Sequence, residues 1–248
     1  MTSILKAIFG GNQKYSENFL YVDMHSHLLA SIDDGVSSLE DAFHLIRKMR
    51  ELGYRKVITT PHIIGDFYKN TPAIIHQKLK ELQTFLDSKS FYFPVEAAAE
   101  YCVDEAFLEM LQQKQTMLSF GKEKYLLFET GFLSPPPFLE EAIFLMQAEG
   151  YKPVFAHPER YLYLHENFGY LERLKSMNVH LQINLISLTG YYSKESKKIV
   201  EKIIDADLVD FAASDCHHQR HLEALQNAQK STYFKKLREK PLLNNSLL

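Results

Sequence analysis

Apolar and polar positions along the chain alternate between two periods. Short runs rich in β-branched and aromatic residues, over 19–24, 56–60, 93–99, 125–128, 153–156, 180–185 and 209–213, read as strands. Between them the spacing turns helical. Ser37-Ser-Leu-Glu40 has the Ser-x-x-Glu form of a capping box, and Ala42, Leu45, Ile46, Met49 and Leu52 then recur on one face before Gly53 closes the helix. A second helix is predicted over 71–89, with Pro72 at a tolerated first position. Others follow over 104–118, 138–149, 168–177 and 194–206, and a last one over 221–237 leads into a polar tail. Strand-then-helix units in series imply parallel strands with right-handed crossovers. The expected fold is therefore α/β, a distorted (β/α)7 barrel, with an open doubly wound sheet as the alternative. No Gly-rich turn follows the first strand, which weighs against a dinucleotide-binding sheet.

Length and composition narrow the function classes. The 248 residues carry 28 basic and 31 acidic side chains, a net charge of −3, which disfavours a protein built to grip nucleic acid through its phosphates. No apolar run approaches the ~20 residues of a membrane span, and no secretory signal is evident, so a cytoplasmic protein without membrane insertion is expected. Residues 1–18 read as a leader and 19–248 as a single domain. Two cysteines, Cys102 and Cys216, cannot form a disulfide framework.

The chemistry sits at the strand ends. The first strand runs into Asp23-Met-His25-Ser-His27, the second into Thr60-Pro-His62, and the third ends at Glu100. The fourth ends at Glu129, the fifth leads into Ala156-His157-Pro-Glu-Arg160, and the seventh into Ser214-Asp215-Cys-His217. Only the sixth, ending at Ile183-Asn184, brings no ionisable group. In a parallel barrel these ends converge on one face, where active sites form. His-x-His in an extended segment aims both rings to one side. Imidazoles and carboxylates converging in this number suit divalent transition metals, and burying them without a cation would be costly. The candidate ligands are His25, His27, His62, Glu100, Glu129, His157, Asp215 and His217, with Asp34 of Asp33-Asp34-Gly35 as a ninth. Two or three ions fit so many donors better than one. His44, His76, His165, His180 and His221 fall in helices, loops or a strand start and read as ordinary positions, while His218 steps away from His217 on an extended segment.

Arg160 and Arg220 each follow a candidate ligand by three residues. A guanidinium beside a metal cluster is a natural clamp for phosphate or carboxylate. Thiolate phosphatase chemistry is set aside, because neither cysteine opens a Cys-x5-Arg loop.

The ordered set His25-Ser-His27, Asp33-Asp-Gly35, Thr60-Pro-His62, Glu100, Glu129, Ala156-His-Pro-Glu-Arg-Tyr161 and Ser214-Asp-Cys-His217 resembles the PHP (polymerase and histidinol phosphatase) superfamily. Within it, Asp-Asp-Gly and His-Pro-Glu-Arg-Tyr look like the bacterial tyrosine-protein phosphatases of capsular and extracellular polysaccharide operons. The resemblance runs from about Tyr21 to the C-terminus. It implies a distorted (β/α)7 barrel, a trinuclear, typically manganese-dependent centre, and hydrolysis of phosphotyrosine on the tyrosine-rich tail of a polysaccharide-export kinase. Fe, Co or Zn would also suit the donors. Carried onto this chain, the nine residues above become ligands or near neighbours, and Arg160 and Arg220 become phosphate binders. The chain departs from the family around Leu29-Ala30-Ser31, at Ala98-Ala-Glu-Tyr101, and in a shorter last motif, Ser214-Asp-Cys-His-His-Gln-Arg220, which puts Arg220 and the substrate rim in question.

The expected reaction is in-line attack on phosphorus by a hydroxide shared by two ions, with a third ion and Arg160 offsetting charge on the equatorial oxygens. Phenolate, with a pKa of ~10, leaves with little protonation; a poorer leaving group would call on His217 as acid. The alternatives are a small-molecule phosphoesterase such as histidinol phosphatase, which shares the catalytic motifs, and a non-catalytic metal-stabilised regulatory domain. A peptide substrate favours an open mouth with aromatic purchase, for which Phe67, Tyr68, Tyr101, Phe132, Tyr161, Tyr191 and Tyr192 are the candidates.

Overall fold

The computed structural model describes residues 19–248, so the expectation for residues 1–18 falls outside the described residues. The strands are β1 (Val22–Asp23), β2 (Lys56–Thr59), β3 (His62–Ile63), β4 (Val95–Ala97), β5 (Glu100–Cys102), β6 (Tyr125–Glu129), β7 (Lys152–Ala156), β8 (His180–Asn184) and β9 (Phe211–Ala213). They pair in parallel, in a three-stranded sheet β1-β2-β4 and a six-stranded sheet β3-β5-β6-β7-β8-β9.

Nine strands arise from seven predicted ones because the second and third each break and pass from one sheet into the other. The first break falls at Thr60-Pro61, where proline lacks the N–H a ladder needs. Ala98 N donating to Thr59 O at 2.9 Å and Glu100 N to Pro61 O at 3.1 Å carry the chain across both breaks. The seam between β9 and β1 is closed beyond their ends. Asp215 N donates to His25 O and His27 N to Cys216 O, both at 2.9 Å, and Ser26 and Cys216 form a parallel bridge. The result is a distorted seven-fold barrel.

Two side chains reinforce that seam. Asp23, fully buried, accepts from the backbone N and Oγ of Ser214 at 2.7 and 2.8 Å. Burial pushes its carboxyl up to about 7, partly offset by those two donors. At the opposite end Asn244, also fully buried, donates to Val22 O and Ala212 O and accepts from Ala212 N. Its amide stands in for the ladder that β1 and β9 do not form there. The tail expected to be merely polar thus plugs the bottom of the barrel, with Leu247 in its core.

Side chains of Val22, Met24, Ile58, Leu127, Val154, Ala156, Phe211 and Ala213 fill the barrel interior. A larger layer packs between the strands and the helices outside. Those helices are α1 (Leu39–Glu51), α2 (Pro72–Ser88), α3 (Glu105–Gln112), α4 (Leu139–Ala148), α5 (Leu162–Glu166), α6 (Gly169–Ser176), α7 (Lys194–Asp205), α8 (Gln219–Ala228) and α9 (Thr232–Leu237). In α1, Ala42, Leu45, Ile46 and Met49 are buried as the periodicity predicts, but the cap is Ser38, which accepts from Asp41 N, rather than the Ser37–Glu40 box. Helix α3 stops at Gln112, and Lys114 takes a left-handed φ of 55° just beyond it. The single helix expected over 221–237 is two, because Ser231 caps a new start by accepting from Phe234 N. No helix among the described residues is long and apolar enough to cross a membrane.

Candidate metal centre

Alternation along each strand decides what reaches the top of the barrel. Tyr125 and Leu127 face inward on β6, so Glu129 does too; Val154 and Ala156 do the same on β7, just before His157. The loop after β1 holds His25 and His27, β3 begins with His62, β5 with Glu100, and Asp215 and His217 follow β9. His157 and Asp215 sit at left-handed φ values of 36° and 50°, sparsely populated backbone of the sort that collects at functional sites.

Their ligand atoms converge. Nε2 of His25 lies 3.2 Å from Glu100 Oε2 and 3.3 Å from Asp215 Oδ1, and Nε2 of His27 lies 3.4 and 3.5 Å from the same two oxygens. Nδ1 of His62 is 3.2 Å from Glu100 Oε2 and 3.1 Å from Glu129 Oε1, and Nε2 of His157 is 3.0 Å from Glu100 Oε1. Asp34 Oδ1 sits 3.4 Å from Nε2 of both His62 and His217. Four overlapping groups of donors emerge, each with all its donor atoms within 4.8 Å of one another: His27, Asp34, His62 and His217; His25, His27 and Glu100; His25, His157 and Asp215; and His62, Glu100 and Glu129.

The arrangement fits cations. His62 Nδ1 is buried and close to two carboxylates, yet it makes no aligned hydrogen bond, as a lone pair aimed between them would. The far nitrogens of the first two histidines are already occupied. His25 Nδ1 donates to Gln182 Oε1 and His27 Nδ1 to Asp33 Oδ2, both at 2.8 Å, which leaves each Nε2 free as a ligand atom. Electrostatics of the bare cluster show the same mutual dependence. Burial lowers the His25 imidazole, and the Glu100 and Asp215 carboxylates outweigh it, raising it to about 9. Burial would raise Glu100, yet His25 and His62 hold it well below the usual carboxylate range.

The centre floors a cleft of about 410 Å³ walled by Tyr68, Phe132, Tyr192 and Arg160. Arg160 donates to Asp215 Oδ2 at 3.1 Å, with its guanidinium 4.3 Å from the Tyr192 ring centre and 4.9 Å from that of Phe132. Gly35 lets the Asp33-Asp34 turn close on the cluster, since a Cβ there would lie 2.3 Å from His27 O.

All nine sequence-predicted ligands and Arg160 meet here. Arg220 does not: it lies exposed on the first turn of α8, outside the cleft lining. Tyr101 and Tyr161 are buried, their hydroxyls accepting from Leu118 N and Thr130 N, so neither belongs to the rim. Phe67 and Tyr191 are exposed but do not line the cleft. His218 and His221 do line it, against expectation. His221 Nδ1 sits 3.0 Å from Asp215 O and 3.2 Å from His217 N, and burial, with His217 and His218 nearby, pulls its pKa down to about 4. Asp33, Gln182 and Asn184, which sequence reasoning also gave no role, contact the cluster from behind. Burial lifts the Cys102 thiol to about 12 and that of Cys216 well above its usual value, so neither presents a thiolate.

Comparison with known proteins places the chain. The sequence profile described as "Capsular polysaccharide synthesis, CpsB/CapC" matches residues 21–242. The chain belongs to the CpsB/CapC family. A relative, tyrosine-protein phosphatase YwqE of Bacillus subtilis (strain 168), is 32% identical over 197 residues, 79% of this chain and 77% of the relative. Tyrosine-protein phosphatase CpsB of Streptococcus agalactiae is 25% identical over 202 residues, 79% of this chain and 83% of the relative. A solved structure from work on YwqE and Streptococcus pneumoniae CpsB, described as unique metal-dependent tyrosine phosphatases, superposes with a TM-score of 0.79 at 30% identity, covering 92% of this chain and 94% of that one. Histidinol phosphate phosphatase of Lactococcus lactis, at a TM-score of 0.52 and 15% identity over 85% of this chain and 93% of its own, shares the fold.

Proposed function

We propose that the chain is a metal-dependent protein-tyrosine phosphatase, one catalytic domain over residues 19–248 that works in the cytoplasm with two or three Mn²⁺ ions. Its substrate is a phosphotyrosine-bearing protein, in keeping with its family the tyrosine-rich tail of a polysaccharide-export kinase. The observation that carries this reading is the set of overlapping donor groups beneath an aromatic-walled cleft with one guanidinium at its edge. Nine donors in four groups are more than a single ion takes, and they match the metal dependence described for the structural relative.

In this reading His25, His27, Asp34, His62, Glu100, Glu129, His157, Asp215 and His217 hold the ions. When bound, the ions supply the positive charge and the acidified water that phosphate-ester hydrolysis needs. Arg160, already aimed by Asp215, takes the non-bridging phosphate oxygens in a forked contact. Tyr68 and Phe132 offer flat apolar walls on which a phenyl ring can stack. A phenolate leaves with little protonation, and His217, with Nε2 in a donor group and Nδ1 on Asp215 O, is assigned to holding an ion rather than to acid catalysis. Arg220, outside the cleft, is given no phosphate contact.

The test is steady-state hydrolysis of a phosphotyrosine peptide beside histidinol phosphate by Mn²⁺-loaded protein and its His157→Ala variant. Preference for the peptide, lost in the variant, is expected. Preference for histidinol phosphate would keep the metal centre and overturn the substrate. Inactivity on both with the metal sites filled would favour a regulatory domain.

A further inference from the structure

The sixth of the seven strand positions, β8, carries no side chain in the donor groups, yet two of its inward residues reach the centre. Gln182 and Asn184 are two apart and fully buried. Gln182 Oε1 accepts from His25 Nδ1 at 2.8 Å, and Gln182 Nε2 donates to Asn184 Oδ1 at 2.9 Å. Asn184 Nδ2 then donates to Asp215 Oδ2 at 2.6 Å and to the Tyr192 hydroxyl at 3.2 Å. That hydroxyl donates in turn to Asp215 Oδ2 at 3.2 Å. Flipping either amide would set two acceptors or two donors against each other, so the chain of bonds has one direction.

Asp215 is therefore a carboxylate with two different oxygens. Oδ1 faces the Nε2 atoms of His25 and His27 at 3.3 and 3.5 Å. Oδ2 faces away and accepts three donors, from Asn184, Tyr192 and Arg160. Tyr192 touches Arg160 a second time, through the ring face 4.3 Å from the guanidinium carbon. Asn184 is itself anchored, its backbone N donating to the Oε1 of buried Glu159 at 3.0 Å. Glu159 precedes Arg160 in the chain, so the ring of contacts closes on itself.

We propose that Asn184 and Tyr192 are positioning residues that fix the Arg160 guanidinium at the cleft edge, an inference that rests on the phosphatase reading and on Arg160 as its phosphate contact. An arginine side chain left to itself samples many rotamers, and a phosphate site gains when its fork is held in place before the anion arrives. Tyr192 supplies two constraints, the hydroxyl that shares Oδ2 and the ring that backs the guanidinium. Asn184 holds the hydroxyl and the carboxylate together. Asn184 lies outside the cleft lining and Tyr192 in its wall, and both are assigned to act through Arg160.

The test compares wild type, Tyr192→Phe, Tyr192→Leu, Asn184→Ala, Arg160→Ala and the double variant Tyr192→Leu/Arg160→Ala, all Mn²⁺-loaded with bound metal measured. Inhibition by inorganic phosphate and the kcat and KM for p-nitrophenyl phosphate are the readouts. Tyr192→Leu should raise the phosphate inhibition constant and KM on the order of tenfold, and Tyr192→Phe, which keeps the ring, by about two- to threefold. Asn184→Ala should shift both constants in the same direction. In the Arg160→Ala background, Tyr192→Leu should change neither constant by more than about twofold, a non-additivity that a general loss of stability would not produce. Additive effects in the double variant, wild-type constants in Tyr192→Leu, or loss of bound metal with phosphate inhibition of the remaining holoenzyme unchanged would each overturn the proposal. Unchanged phosphate inhibition in Arg160→Ala alone would overturn the reading of Arg160 itself, and the proposal with it.

Discussion

Removing the Asp33 carboxylate should weaken metal binding while leaving the barrel folded. Asp33 touches no other candidate ligand atom that faces the cleft; it acts from behind. Its Oδ2 accepts from His27 Nδ1 at 2.8 Å and from His62 N at 3.1 Å, and its Oδ1 accepts from Gly35 N at 2.9 Å. One carboxylate thereby sets the tautomer of one imidazole, the backbone of a second ligand, and the turn that presents Asp34. A hydrogen bond to a charged group contributes about 1.5–3 kcal/mol. Loss of such an orienting partner typically lowers metal affinity about 10–100-fold, or about 1.4–2.7 kcal/mol, so the two scales agree. Asparagine keeps one acceptor, which can stay on His27 only if the amide NH₂ faces the Gly35 N–H. Asp33→Asn should therefore fall near tenfold and Asp33→Ala near 100-fold. Activity on a phosphotyrosine peptide, followed against buffered free Mn²⁺, gives the midpoint, and saturating metal should restore kcat to within about threefold of wild type. Wild-type midpoints in both variants would refute the reasoning, as would a kcat that stays orders of magnitude low at saturation with the midpoint unmoved.

Gly35→Ala forces a Cβ to 2.3 Å from His27 O, so the Asp33-Asp34 turn must back away; loss of bound metal by elemental analysis and a lowered Tm are expected. Asn244→Ala removes the amide that joins β1 to β9 and leaves Val22 O and both backbone groups of Ala212 unpaired. It should destabilise the holoenzyme by about 2–4 kcal/mol in denaturant titration, with kcat at a permissive temperature within about twofold of wild type, since the plug lies at the far end of the barrel. Replacing both Cys102 and Cys216 by alanine should leave phosphotyrosine hydrolysis within about threefold of wild type, because burial keeps both thiols protonated; abolished turnover in metal-filled, folded protein would contradict this.

The cluster of candidate metal donors was legible in the sequence because ionisable residues at strand ends have no cheaper explanation than a shared cation. What escaped was neutral or tertiary. Gln182 and Asn184 carry no charge, so only their inward, two-apart spacing at the end of β8 marked them, and that spacing is ordinary in a strand. Asp33 was overshadowed by Asp34, since a sequence cannot say which of two adjacent carboxylates faces the ions and which faces a histidine from behind. Tyr101 was open to a better reading: Glu100 points inward, so period two sends Tyr101 outward into the helix layer. The proline at 61 likewise marked the first break between β2 and β3, while nothing local marks the second at Ala98-Ala99. Asn244 lies in a tail whose polarity looks like solvent exposure until the barrel seam supplies its partners.

The most direct measurement titrates metal-stripped protein with Mn²⁺ while following bound metal and phosphotyrosine-peptide turnover in the same samples. Overlapping donor groups that share Glu100, His25, His27 and His62 predict no turnover in the stripped protein and activity that rises only as binding passes one ion per chain. Full turnover by the stripped protein, or at a single equivalent, would contradict a phosphatase built on a multinuclear centre.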